Sequence, residues 1–155
     1  MIFQMLFVLM WMAGDALTFS ITNDHYVLDI THIPPRTGTL IFLSLNNSNS
    51  SDSSVSNKDT GTINCTKDGF VFLRVTIAIN TQKGNGDATF VLKLLVNNKT
   101  LVLTPLKLKH GNVFPVSMET KVNMREGDTI VIQALGTQYI DRREFYSFID
   151  LTWFR

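Results

Sequence analysis

The sequence predicts an all-β fold, a sandwich or barrel of eight or nine short strands. Three observations predict it. Beyond Ala16 no segment carries the apolar spacing of an amphipathic helix. Runs rich in Val, Ile, Thr and Phe succeed one another, separated by Gly, Asn, Asp or Pro signals roughly every ten residues. The chain has 155 residues, 45% of them hydrophobic and 11 of them Phe, which is enough to bury one core.

The first segment stands apart from this pattern. Ile2 to Ala13 is apolar except for Gln4, and four of the six methionines lie in Met1–Ala16. As a helix these residues span about 18 Å, short of a bilayer core of about 30 Å. Gly14 and Ala16 are the small residues that a signal peptidase needs. Met1–Ala16 is expected to be a secretory signal cleaved after Ala16, leaving a domain over 17–155. The alternative is a truncated membrane anchor, because no Lys or Arg precedes the apolar run. Four Asn-x-Ser/Thr sequons, at Asn46, Asn49, Asn64 and Asn98, accord with secretion, and each is a candidate glycosylation site.

The strands are justified in chain order. Tyr26–Ile30 and Thr39–Leu45 are β-rich, with Pro34, Pro35 and Gly38 breaking the chain between them. In 46–57, ten of twelve residues are Ser or Asn, so a solvated loop with nothing to bury is expected. Gly69–Ile79 is long and apolar enough for a buried helix. Gly69 before it and Lys83-Gly-Asn-Gly-Asp87 after it favour a central strand. Ala88–Val96 follows, then a turn at Asn97-Asn98-Lys99. Leu101–Thr104 and Leu106–Lys109 flank Pro105, which marks an edge or a bulge. Lys107 and Lys109 alternate with Leu106 and Leu108, so one side of that strand is wet. Val113–Met124, a turn over Arg125-Glu126-Gly127-Asp128, Thr129–Leu135 and Phe145–Phe154 complete the set. The last strand must be paired, or Phe148, Leu151, Trp153 and Phe154 would lie in water.

Composition excludes several classes of function. A formal net charge of +1 leaves no electrostatic footprint for nucleic acid. One cysteine excludes an internal disulfide and a multi-cysteine zinc site. Cys65 is expected to be a buried thiol, the alternative being an intermolecular bridge or a reactive thiol. His25, His32 and His110 share no metal-ligand spacing, and no HExxH, CxxC or phosphate loop occurs. No catalytic residues, metal or cofactor are therefore expected. The mixed-sign cluster Asp141-Arg142-Arg143-Glu144 is either a solvated loop or a partner-binding one.

Three segments, in order, carry a family resemblance: Ile63–Ile79 with its Asp68-Gly69-Phe70 start, Val122–Ile132 with its Gly127-Asp128 turn, and Ser147–Arg155. Together they resemble the ligands of the tumour necrosis factor superfamily, especially the lymphocyte co-stimulatory members. The resemblance runs from about Asp24 to Arg155 and is densest from Ile63. It implies a TNF-like jelly-roll β-sandwich that packs as a homotrimer. It also implies a secreted, extracellular cytokine that binds and clusters a cysteine-rich receptor of the TNF-receptor family to trigger immune signalling.

Phe72 and Phe148 fall where the family places apolar trimer-core groups. Arg74 and Ser117 fall where several members carry axial tyrosines, and Asp150 stands in place of the usual glycine. The receptor contact expected from the charged cluster is Asp141, Arg142, Arg143 and Glu144. Membrane attachment is expected only if the N-terminal segment stays uncleaved. The alternative function is a recognition module like the globular head of complement's first component, which shares the jelly-roll class but usually follows a collagen-like stalk.

Overall fold

The computed structural model describes residues 20–44, 53–82, 88–143 and 146–155. The expected signal segment, the sequons at Asn46 and Asn49, the turn at 83–87 and Glu144 lie outside the described residues.

Eleven strands are present among the described residues: β1 Ile21–Leu28, β2 Thr37–Leu40, β3 Phe42–Ser44, β4 Ser54–Asn57, β5 Thr62–Cys65, β6 Gly69–Asn80, β7 Ala88–Val96, β8 Lys99–Leu108, β9 Val113–Met124, β10 Thr129–Leu135 and β11 Phe148–Phe154. They form two sheets. The first has the order β3-β1-β11-β6-β9 and the second β4-β5-β10-β7-β8, with β2 paired to the far half of β10. Every pairing is antiparallel. Two antiparallel sheets with long crossovers between them make the jelly-roll sandwich.

The period-two pattern builds the core. Val71, Leu73, Val75, Ile77 and Ile79 of β6 point inward, as do Ile149, Leu151 and Trp153 of β11. Phe90, Leu92 and Leu94 of β7 and Ile130 and Ile132 of β10 meet them from the second sheet. The final strand is paired on both sides, with β1 and β6, as its apolar content requires. Leu151 and Trp153 are buried inside the sandwich, whereas Phe148 and Phe154 stand half-buried on its outside. Pro105 lies in β8, an edge strand, and one residue near Leu101 is bulged out of register.

The first third of the chain departs from the expectation. The run 39–45 is not one strand. It breaks at Ile41, where the chain leaves the second sheet (β2) and enters the first (β3). The run 26–30 starts earlier, at Ile21, and stops at Leu28. There Asp29 caps a single 3-10 turn, Ile30–His32, by accepting from the Thr31 backbone N–H at 2.9 Å. The expected loop 46–57 ends sooner than its composition suggests. Ser54–Asn57 is strand β4, paired with β5, and Ser53 and Ser54 are buried. Among the described residues no helix is long and apolar enough to cross a membrane.

These serines are buried because they complete a polar cluster that joins the sheets. Asp24 on β1 is 7% exposed. Its Oδ2 accepts from Trp153 Nε1 on β11 at 2.9 Å and from Ser54 Oγ on β4 at 2.5 Å. Tyr26 Oη lies 2.7 Å from the same Ser54 hydroxyl. Beside them Arg155 donates to Thr22 Oγ1 at 2.9 Å and to Ser53 Oγ. A buried carboxylate is tolerable only when bonded in this way. Asp24→Ala leaves two buried donors without their acceptor, each costing about 1–3 kcal/mol. The variant is expected to lose about 2–5 kcal/mol of stability in urea unfolding followed by Trp fluorescence. An unchanged midpoint would remove the cluster from the forces holding the sheets together.

Candidate interaction face

Alternation sends half of each strand of the first sheet outward, onto one face, although at the level of Phe148 the outward residues Val27 and Thr76 are only 8% and 6% exposed. Strand register arranges this face in rows. Leu43, Val27, Phe148, Thr76 and Ser117 form one row across β3, β1, β11, β6 and β9. His25, Asp150, Arg74 and Glu119 form the next, then Asn23, Thr152, Phe72 and Lys121, then Ile21, Phe154, Phe70 and Asn123. Phe72, Arg74, Ser117 and Phe148, singled out from sequence, all lie on this one face. Phe148 and Ser117 both stand in register with Thr76, whose Oγ1 is 3.0 Å from Ser117 Oγ. Phe72 lies two rows away.

Several residues of the face escaped the sequence reading. Phe70 and Phe154 approach with ring centroids 6.1 Å apart. Ile21 is 55% exposed, Phe70 41% and Leu43 38%. The i, i+2 relation to Phe72 points to Phe70. Ile21 and Leu43 become visible only through the pairing of β1 with its neighbours. The row of charges is paired: His25 Nδ1 lies 2.5 Å from Asp150 Oδ1, and Arg74 Nε lies 3.4 Å from Glu119 Oε1.

The charged loop before β11 divides by burial. Gly136 ends β10 with φ +86, and a Cβ there would lie 2.6 Å from the Thr89 carbonyl oxygen, so the turn needs glycine. Asp141 is 6% exposed, and its backbone N–H donates to the Ala78 carbonyl of β6 at 2.8 Å. Arg143 grips the same Asp141 carboxylate, Nη2 to Oδ2 at 2.6 Å and Nε at 3.0 Å, and lies over the Tyr146 ring. The hydrogen bonds from Arg143 hold the Asp141 carboxyl below its ordinary range, against the opposing effect of burial. Asp141 is thus the anchor of the loop. Arg142 and Arg143 are both exposed, and Arg142 lies beside Asn80 and Gln138.

The remaining candidates scatter. Asn98 sits in the tight β7–β8 turn, exposed, with φ +63. Its neighbour Asn97 is committed to the next loop, donating to Asp128 at 2.8 Å and accepting from the Thr129 N–H at 2.9 Å. Asn64 lies within β5, paired with β4 and β10. His32 bonds Asp29 in the 3-10 turn, and His110 is exposed after β8. Among the described residues no three His, Cys, Asp or Glu side chains gather as a metal-ligand set.

No family model and no curated protein matches the chain. Solved structures do. Crystal structures of murine APRIL at pH 8.5, 8.0 and 5.0 align with TM-scores of 0.57, 0.60 and 0.62, each at 8% identity. The alignments cover 85%, 86% and 85% of this chain and 99% of the matched crystal chain in each case. The fold is that of a tumour necrosis factor ligand. The resemblance read from Ile63–Ile79, Val122–Ile132 and Ser147–Arg155 therefore holds at the level of architecture. Within this TNF-like fold those segments are β5–β6, the β9–β10 turn region and β11.

Cys65 ends β5 and is 3% exposed and unbridged. Burial, with smaller contributions from Asp128 and Asp24, pushes its thiol up to about 12. A protonated, buried thiol is a poor nucleophile. In the native protein at pH 8 Cys65 is expected to resist iodoacetamide, and to react once urea unfolds the chain. Because the folded pKa is the higher one, this group favours the native state below its ordinary value of 9.0. That contribution is lost as pH rises toward 12. Fast native labelling would show that the strand end opens.

Proposed function

We propose that this chain is a secreted, extracellular cytokine of the TNF type. It assembles as a homotrimer through the outer face of the first sheet, and it clusters a cysteine-rich receptor of the TNF-receptor family to trigger immune signalling. The observation that carries this reading is the face itself. Phe70, Phe72, Phe148, Phe154, Ile21 and Leu43 all point out of the first sheet of a TNF-like fold. Apolar groups gathered on one sheet face, here on both sides of a row of charges, mark a protein interface. A three-fold assembly buries three copies of the face and repeats the Arg142 loop three times, so weak receptor contacts add through effective concentration. Phe72, Arg74, Ser117 and Phe148 then belong to the subunit interface, and Arg142 with Arg143 to the receptor contact. Of the two sequons among the described residues, Asn98 is the better displayed for a glycan. Removal of residues 1–16 releases the mature protein.

Light scattering on the purified protein tests assembly, and surface binding to a panel of cysteine-rich receptor ectodomains tests function. Phe72→Ala and Phe148→Ala are expected to shift trimer to monomer while leaving the β circular dichroism intact. Both rings are only partly buried in the single chain and lie outside the core, so their loss weakens association more than folding. A stable Phe72→Ala trimer would remove that residue from the interface.

A second expectation concerns the loop. Arg142→Ala with Arg143→Ala should weaken receptor binding by roughly tenfold or more, about 1.4 kcal/mol, with assembly unchanged. Equal affinity would take the loop out of the receptor site. A trimer that binds no receptor but binds polyanions or immune complexes would favour the complement-like head.

A further inference from the structure

The paired charges on the outer face form one continuous, in-register row. His25, Asp150, Arg74 and Glu119 occupy four adjacent strands at one level, in the order β1, β11, β6, β9. The row lies between the level of Phe148 and the level of Phe72. Its side chains are 42%, 40%, 48% and 52% exposed in the single chain. Any copy packed on the aromatic residues above and below must also cover this row.

We infer that protonation of His25 couples self-association of this face to acidity, and that assembly is tighter below pH 6 than above pH 7. The inference rests on the proposal that the face is a subunit interface. Asp150 stands in register between His25 and Arg74, but the Arg74 guanidinium is directed to Glu119. The ion pair available to Asp150 on the face is therefore with His25, at 2.5 Å.

The surroundings of His25 add no competing base. On β11 it meets Asp150 and the ring of Phe148, 5.5 Å away between centroids. Among the described residues of β3 the nearby side chains are Leu43 and Ser44, neither of which titrates. Farther along the face stand Arg74 on β6 and Glu119 and Lys121 on β9. Lys121 lies on an edge strand, with solvent open to its ammonium.

While the face is wet, water screens the Asp150 carboxylate whatever the state of the imidazole. Once a second copy covers the row, a carboxylate facing a neutral ring is a desolvated charge with no counter-charge, which is costly. A proton on His25 makes the row alternate in sign, cation, anion, cation, anion, and each carboxylate then has its own cation. Imidazole is the side chain that makes this change between about pH 5 and 8. The assembled state therefore binds the proton more tightly than the free chain. The added stability is complete in acid and is lost as pH rises through the assembled-state titration.

The test is a dilution series of the full chain, followed by sedimentation velocity, at pH 5.5 and 7.5 in equal ionic strength. The midpoint concentration for assembly should be lower at pH 5.5 by roughly tenfold, equivalent to about 1.4 kcal/mol. His25→Gln keeps a hydrogen-bonding side chain without a titratable one, and should show the same midpoint at both values. Asp150→Asn should also abolish the difference, while His32→Gln and His110→Gln should preserve it. A wild type that assembles equally at both pH values would overturn the role of His25 and leave the interface standing. So would a pH effect that survives in His25→Gln. A chain that stays monomeric at every concentration and pH would overturn the interface itself.

Discussion

Strand β6 has to serve two surfaces at once, and the rest of the molecule is arranged around that constraint. It is a long inner strand of the first sheet, bonded to β11 on one side and to the edge strand β9 on the other. Leu73, Val75 and Ile77 of one parity are fully buried against the second sheet. Phe70, Phe72 and Arg74 of the other parity stand outside it. A slip of one residue in register would send Arg74 into the core and the aliphatic residues into water. The pairing Asp150↔Arg74↔Glu119 is therefore fixed by core packing, although none of the three contributes to the core. The outer rows inherit their order from the inner ones.

The same logic explains how far the sequence could be read. Strands β6 to β10 were legible with nearly correct limits because each is long, apolar and bounded by Gly, Asn or Asp. The N-terminal third was not. Ile41 lies inside a continuous β-rich run, and nothing local says that the chain changes sheets there. Ser54–Asn57 has the composition of a loop. It becomes a strand because β5 offers an edge and because Asp24, thirty residues earlier, needs the Ser54 hydroxyl. Propensity is a local quantity, and these two choices are made by contacts distant in sequence.

The site was legible to a similar degree. Phe72 and Phe148 reach one face by strand alternation. The charge row was hidden, since it draws on four strands whose pairing spans most of the chain. Asp141 shows the opposite error. Within Asp141-Arg142-Arg143-Glu144 it looks like one more solvated charge, yet it is nearly buried and bonded to Arg143. Composition reports how many charges a loop has, and only the backbone path decides which of them faces inward.

That backbone path also ties the two candidate surfaces together. Ala78 has the outward parity of β6, yet it is 8% exposed. The Ala78 carbonyl accepts from the Asp141 N–H at 2.8 Å, and the Ala78 N–H donates to Ser147 Oγ at 2.9 Å. The two bonds hold the start and the end of the loop to one residue of β6. Ser147 in turn accepts from the Leu28 N–H at 2.9 Å, which binds the loop's end to β1. Arg142 and Arg143 are thus displayed from the same strand that carries Phe72 and Arg74. Their position relative to the aromatic face is set by hydrogen bonds to a rigid sheet rather than by the conformational freedom of a long connection. A partner that reads the loop and a copy that covers the face would meet a single framework, with β6 as its common member.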